Sequence, residues 1–453
     1  MGHFHSAERR WFWTIILFAL LIRLSVGWYW QAQVLRSGET FRFGDSHSYW
    51  IIAGNVAQGK HYQFGSENSK IFRAPLYPLL LAPWTATPRN WGPWDDVNLD
   101  VPSPNGVWWA RCMGCLFGTA TVACIMSMTR LIASSRTALI AGLLASIYPG
   151  AVAMSIFILS EAIATPLFVL SCTLFLAGLR GGNHRNLAYL AAGVAFGLTC
   201  LARPSWSLWP IVLIPFAIVA KKQDSGIDLC RCLGRILLFC TGAIAVMTPW
   251  WVRNYTITSK FVPTTLQVGA SLYDGWHPGA SGSSDENMDF VLPFIAAQQV
   301  EDEMLAKQGK VLESTLEWRV DQRMRRAAMD WARKNPSDAI RLSLVKLEKM
   351  WMPMPVAKEV QPLVRWSEGL GYTALMASAL LGAWYLRREP GAWLAWMPCL
   401  YLAFLHSIFI GSVRYRHPGV LMLCPLAAAG WIMVIGWMRR RDSRKGQGQT
   451  DTA

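Results

Sequence analysis

One carboxylate stands out by its surroundings. Asp45 lies in FRFGDSHSYW, just past the first apolar run, and His47 follows two residues on. An Asp so placed is either a base for a hydroxyl proton or the N-cap of a helix beginning at Ser46. Asp45 and His47 would be the start of a divalent-metal site, but one Asp and one His make an incomplete ligand set, and an ordinary interfacial histidine is the simpler reading. Glu161 opens another apolar run, among Ile158, Leu159, Ala162 and Ile163. A carboxylate there is costly unless it faces a cavity or a partner. Arg203 lies equally deep, between Cys200-Leu201-Ala202 and Pro204. Glu161 and Arg203 are therefore either a structural ion pair or parts of one site. Arg73, in IFRAPLYP, either snorkels to an interface or joins that site.

The elements that must position these groups are membrane spans. The chain has 453 residues, 53% of them hydrophobic and only 16% charged, against roughly 25% charged in a soluble domain. Apolar runs repeatedly reach the roughly 20 residues that cross a bilayer. The expectation is an all-α polytopic membrane protein with about ten transmembrane helices, near 11–30, 108–130, 137–156, 159–179, 187–202, 206–220, 233–252, 367–386, 392–411 and 418–438. Pro166 and the shortness of the fifth run suggest that the fourth and fifth are tilted or broken. The N-terminal run ends in Gly27-Trp28-Tyr29-Trp30, which reads as an uncleaved anchor with interfacial aromatics. All ten cysteines lie in or beside apolar runs, so no disulfide framework is expected. Cys112-x-x-Cys115 reads as small-residue packing.

The net charge of +15 sits mostly in short clusters between the apolar runs. This is the pattern of membrane topology, and it excludes a nucleic-acid partner. With Arg9 and Arg10 in the cytoplasm, strict alternation puts five further groups inside: Arg130 with Arg136, Arg180 with Arg185, Lys221 through Arg235, Arg387 with Arg388, and the Arg439–Lys445 tail. Both termini are then cytoplasmic. The outer face collects Asp45, Arg73, Glu161, Arg203, Arg253 and Arg414-Tyr415-Arg416, all close to span ends. Their position points to a site at the outer membrane interface.

The chain divides into an N-terminal membrane module (1–252) with a first outer loop (31–107), an outer segment (253–365), C-terminal helices (366–438) and a basic tail (439–453) expected to be disordered. Within the first loop, PLYPLLLAPW is too short to span, and its three prolines discourage a regular helix. The 88–105 stretch reads as a surface loop. In the outer segment, residues 294–334 look helical, and Asn335-Pro336-Ser337-Asp338 marks a break and restart. Beyond it, Leu342, Val345 and Met350 are expected on one helix face, and Lys346 and Lys349 on another.

The order of motifs is more specific than any one of them. Asp45 in GDSHSYW, then RAPLYPLLLA, YPGAVAMSIFILSE, LARP, PWWVRNY and RYRHP before the last span, resembles the GT-C superfamily of membrane glycosyltransferases. The resemblance is nearest to the branch of protein O-mannosyltransferases and aminoarabinose lipid A transferases. It implies the GT-C fold and a catalytic carboxylate in the first outer loop, at Asp45. It places Arg73 and Tyr77 near the donor cavity, Arg203 and Arg253 facing a lipid phosphate, and Glu161 as the acidic residue closing the tyrosine-proline segment. Many relatives carry two adjacent acidic residues in that loop, whereas here Ser46 follows Asp45, which removes the second carboxylate of a metal site.

Physical chemistry fills in the roles. Asp45 serves as general base. Arg203 and Arg253 clamp the departing phosphate, with Arg73 and Arg416 as secondary contacts, since guanidinium is always charged and binds phosphate bidentately. Glu161 orients sugar hydroxyls or an arginine. The expected partners are a polyprenyl-phosphate sugar donor, a lipid, glycan or protein acceptor, and membrane lipids, in a bacterial cytoplasmic membrane. The sequence points to no definite cofactor, and a divalent metal at Asp45 and His47 is the one candidate. A transporter or flippase would instead place its charges near the midplane, with repeated halves. A non-catalytic assembly subunit would tolerate loss of the Asp45 charge.

Overall fold

The computed structural model describes residues 6–38, 40–65, 69–86, 102–222, 229–285, 288–354 and 361–450. Most of the 88–105 stretch lies outside them. Among the described residues the chain is helical, with no strand. Helix α1 (Ser6–Ser37) leads into the first loop, which holds α2 (Gly44–Ala57) and α3 (Leu76–Thr85). Then come α4 (Pro104–Ile132), α5 (Ser135–Ile147), α6 (Pro149–Ile156), α7 (Glu161–Arg180), α8 (Arg185–Ala202), α9 (Pro210–Lys222) and α10 (Leu229–Thr258). The outer segment folds as α11 (Val268–Gly275), α12 (Val291–Lys307), α13 (Leu316–Lys334) and α14 (Pro336–Trp351). The chain closes with α15 (Pro362–Tyr385), α16 (Pro390–Ile408), α17 (Val413–Met422) and α18 (Cys424–Thr450).

Six of these helices are long and apolar enough to cross a bilayer, and eight spans result if the pairs α5–α6 and α17–α18, each bent by 58°, count as one span each. The other two of the ten expected runs are the short α9 and the 24-residue α15, neither of which meets that test. The C-terminal end of α8 meets the start of α7 beside Asp45, and the C-terminal end of α10 meets the first loop, so α9 carries the chain back between them. The breaks differ from expectation too. Helix α7 runs through Pro166 without interruption, and the bend falls at Tyr148-Pro149.

Bending a helix inside a membrane frees carbonyls that must find donors. Arg23 of α1 supplies them. Its guanidinium donates to Ala145 O at 3.1 Å and Ser146 O at 3.4 Å, at the end of α5, and to Ser155 Oγ of α6 at 3.2 Å. Elsewhere backbones pack directly on each other. A Cβ added to Gly193 of α8 would overlap the Phe239 carbonyl of α10, and one on Gly382 of α15 would overlap the Leu426 carbonyl of α18. Small residues at such contacts are how membrane helices approach without a hydrophobic driving force.

Local details depart from the sequence reading for identifiable reasons. Residues 76–85 form a helix despite their prolines: Pro75 precedes it, Pro78 falls in the first turn, where no intrahelical N–H bond is lost, and Pro83 lies in the last turn, where the helix forgoes one such bond and ends two residues on. The 294–334 stretch breaks into two helices at residues 308–315. Helix α13 ends and α14 begins across Asn335-Pro336, as the sequence indicates. Lys346 lies on the buried face of α14 with Leu342 and Met350, four residues away on either side, and not with Lys349. Its ammonium donates to Ile408 O at 2.7 Å, docking the outer segment on the end of α16. Burial lowers this ammonium's pKa to about 8. The basic tail continues α18 as far as Thr450 instead of leaving the helix at the membrane.

Candidate functional site

Four chain segments converge at one end of the bundle. Asp45 enters in the first turn of α2, whose N-cap is Phe43 and not Asp45. Capping is therefore not what its carboxylate does. Oδ1 accepts from Arg73 Nη2 at 2.6 Å, and Oδ2 accepts from Arg414 Nη2 at 2.7 Å. Burial alone would raise the Asp45 pKa, but the Arg73 and Arg414 charges outweigh it and hold the carboxyl well below the usual range.

Behind Asp45 lies Glu161, the first residue of α7, with a fully buried side chain. Arg203, just past α8, pairs with its Oε2 at 2.8 Å, and the Arg414 Nε donates to its Oε1. Both the ion pair and the site reading of these two residues therefore describe the same structure. Arg414 bridges the two carboxylates. It leaves the first turn of α17, where the Ser412 hydroxyl accepts from its backbone N–H, and its guanidinium lies 5.0 Å from the Phe43 ring centre. Arg73 is fixed by neutral partners as well: Nε donates to Ser48 Oγ at 2.9 Å and Nη1 to Gln267 Oε1 at 2.8 Å. Tyr49 lies under Arg73 and donates to Ser160 Oγ at 3.0 Å.

This cluster forms part of the wall of a cavity of about 1700 Å³. That exceeds the 300–1,000 Å³ of an ordinary small-molecule pocket and is enough for two substrates. Arg42, Asp45, Arg73, Arg203 and Arg414 make a charged patch. Met288, Val291, Ile295, Leu316, Val320 and Met324 of the outer segment make an apolar one. Glu317 lies beside it, accepting from the Lys70 and Ile71 N–H groups at 2.9 and 3.1 Å.

Other residues singled out in the sequence lie elsewhere. Arg253 does not line the cavity. It donates to Tyr62 O and Lys70 O at 3.2 and 3.1 Å and stacks on Trp250, pinning the end of α10 to the first loop. Arg416 also stands away from it, fully buried, 3.7 Å over the Tyr372 ring and bonded to the Met350, Met352 and Pro353 carbonyls and to Glu368. Tyr77 is packed edge-on against Tyr49, 5.1 Å between ring centres, one layer behind the cavity. His47 is exposed, lies edge-on to Phe41 and does not line the cavity. Asp45 and His47 thus do not fit a metal. Both Asp45 oxygens are engaged by guanidinium groups, and among the described residues no three His, Cys, Asp or Glu side chains gather as ligands. Arg414 is the residue the sequence reading missed. It stood in RYRHP beside the chosen Arg416, and the signal that separates them is helical phase: two residues apart on a helix, they face nearly opposite ways.

Comparison with known proteins places the chain. Residues 104–252, which run from α4 to the second-last turn of α10 and include Glu161 and Arg203, match the family model of dolichyl-phosphate-mannose-protein mannosyltransferases. No curated protein sequence matches the chain. Among solved structures, the oligosaccharyltransferase AglB from Archaeoglobus fulgidus, in complex with an inhibitory peptide and a dolichol-phosphate, superposes with a TM-score of 0.56 at 12% identity, over 98% of this chain and 52% of that one. The apo form of the Archaeoglobus fulgidus enzyme gives a TM-score of 0.55 at 12% identity, again over 98% and 52%. This chain therefore spans about half the length of those enzymes. ArnT from Cupriavidus metallidurans, bound to undecaprenyl phosphate, is a looser match, with a TM-score of 0.41 at 13% identity over 92% and 77%. The chain is a membrane protein of the GT-C glycosyltransferase fold, and its resemblance to the mannosyltransferase family rests on residues 104–252.

Proposed function

We propose that this protein is an inverting glycosyltransferase. It moves a sugar from a polyprenyl-phosphate-linked donor to a hydroxyl of a lipid, glycan or protein at the outer face of the cytoplasmic membrane. The observation that carries the reading is the convergence of Arg73, Arg203 and Arg414, in the wall of a large cavity, on Asp45 and on the buried Glu161 behind it. The family description supports a dolichyl-phosphate-mannose type of donor, and the AglB complex with dolichol-phosphate supports a lipid-phosphate site in this fold. The distribution of basic loops supports cytoplasmic termini and an outward-facing site.

The lipid tail of such a donor stays in the bilayer while its sugar and phosphate enter the cavity. Asp45 takes the proton of the acceptor hydroxyl as the acceptor oxygen attacks the anomeric carbon from the face opposite the phosphate. The anomeric carbon–oxygen bond breaks, and its electron pair leaves on the lipid phosphate. Arg414, Arg73 and Arg203 stabilise that growing charge, which matters most as the bond breaks. Glu161 holds Arg203 and Arg414 in place from behind. Arg253 and Arg416 tie the first loop and α17 into position. A transporter is not favoured, because the charges sit at helix ends and not at mid-span: Glu161 opens α7, Arg203 follows α8, and Arg414 lies in the first turn of α17.

Mass spectrometry of lipid extracts tests the reading. Cells lacking the gene should accumulate a polyprenyl-phosphate sugar that the wild-type protein clears and Asp45→Asn does not. A lipid-linked pool that is the same with and without the gene would remove the donor assignment.

A further inference from the structure

We infer that in the donor-free protein the Asp45 carboxylate occupies the place of the donor's phosphate, so that donor binding breaks its arginine pairs and releases it as the base. The inference rests on the lipid-phosphate reading above and concerns what happens to the site when that ligand enters.

The geometry separates exchangeable bonds from fixed ones. Each arginine that holds Asp45 does so through Nη2 alone, and each keeps other partners if Asp45 leaves. Arg73 remains on Ser48 and Gln267. Arg414 remains on Glu161. The two Nη2 groups are thus aimed at one anion position by contacts that do not include the anion. Exposure shows which carboxylate can move. The Asp45 side chain is 27% exposed to the cavity, whereas that of Glu161 is wholly buried. A ligand entering from the cavity meets Asp45 first. With both oxygens paired, Asp45 is also a poor base as it stands, and only removal of the guanidinium groups lets it accept a proton.

Charge conservation points the same way. Three guanidinium groups against two carboxylates leave this cluster with one net positive charge. A sugar-linked lipid phosphate is a diester with one negative charge, so its binding brings the cluster to neutrality. During transfer one proton moves to Asp45 and the lipid phosphate gains one negative charge. The cluster therefore stays neutral from bound donor to product, which a low-dielectric cavity favours.

Binding of a short-chain polyprenyl phosphate to the detergent-solubilised full-length protein tests this. Asp45→Asn should bind it about tenfold more tightly than wild type, because the internal competitor is gone. Glu348→Gln removes the same charge from the cavity wall without touching the arginines and should leave the affinity within twofold. Equal tightening by both substitutions would reduce the effect to bulk charge and overturn the exchange. Unchanged or weaker binding by Asp45→Asn would overturn it too, while leaving the donor reading intact. No binding by either wild type or Asp45→Asn would overturn both. Infrared difference spectra of the wild-type protein give a reading free of any folding defect. Added lipid phosphate should shift a carboxylate stretching band, and an unshifted spectrum with bound lipid would also overturn the exchange.

Discussion

Arg414 holds two carboxylates that come from different parts of the chain, one in the first loop and one at the start of α7. Lysine would keep the charge but is a point donor without the planar fork that serves both. Arg414→Lys should therefore lower transfer at least tenfold in a reconstituted assay while the protein stays folded. Arg416→Lys should instead lower thermal stability, because Arg416 bonds the Met350 and Pro353 carbonyls and Glu368 and does not line the cavity. If the two substitutions exchanged effects, the role of helical phase in separating them would be wrong. Asp45→Asn should reduce turnover by about 10²–10⁴-fold, the usual range for a general base. Glu161→Gln takes the buried counter-charge from Arg203 and leaves Arg414 only its pair with Asp45, and should destabilise the protein by about 3–5 kcal/mol, measured by thermal unfolding in detergent.

At the scale of elements, the site depends on helix ends being held at fixed depth. The bend at Tyr148-Pro149 lets α6 turn toward the cavity end of the bundle, and Arg23 satisfies the carbonyls it exposes. Arg23→Leu removes those donors and should lower stability by about 1–3 kcal/mol per carbonyl left unpaired. A scan that showed no change in unfolding temperature would mean that other donors fill the gap. Close backbone contact does the same work between α15 and α18. Gly382→Val should push them apart, at a cost of about 1–3 kcal/mol, and through α17 should also disturb Arg414.

Across the whole molecule, the cavity exists only while the outer segment stays docked on the first loop. Glu317 makes part of that joint by accepting from the Lys70 and Ile71 N–H groups. Burial pushes its pKa up to about 7, against these bonds and the nearby Arg253. Burial raises that of Asp321 as well, despite Arg325 and the Gly269 N–H. Because the folded value lies above the ordinary one near 4.5, folding favours the protonated form. The Glu317 contribution is thus full below about pH 4.5 and lost as pH rises through about 7. Hydrogen exchange at Lys70 and Ile71, corrected for intrinsic rates, should show less protection at pH 8 than at pH 5. Glu317→Gln should flatten that dependence, and a wild-type profile already flat would exclude it.

The long apolar runs of this sequence determined a helical membrane protein, because a bilayer leaves every backbone polar group to be satisfied within a helix. Basic residues between the runs gave an expected sidedness, and Glu161 and Arg203 announced themselves because charge at a span boundary is too costly to be idle. Glu161 and Arg203 were legible on those grounds, Asp45 and Arg73 from their place in the first loop and the resemblance in motif order, and the structure joins all four in one cluster. Three things were decided only in three dimensions. Helical rotation put Arg414 in the cluster and Arg416 outside it. Packing against the first loop made Arg253 a tether. The i, i+4 stripe of α14 buried Lys346 on the outer segment's docking face. Hydropathy reports how deep a side chain lies, and it carries no information about which way that side chain points around a helix axis or which distant segment meets it there.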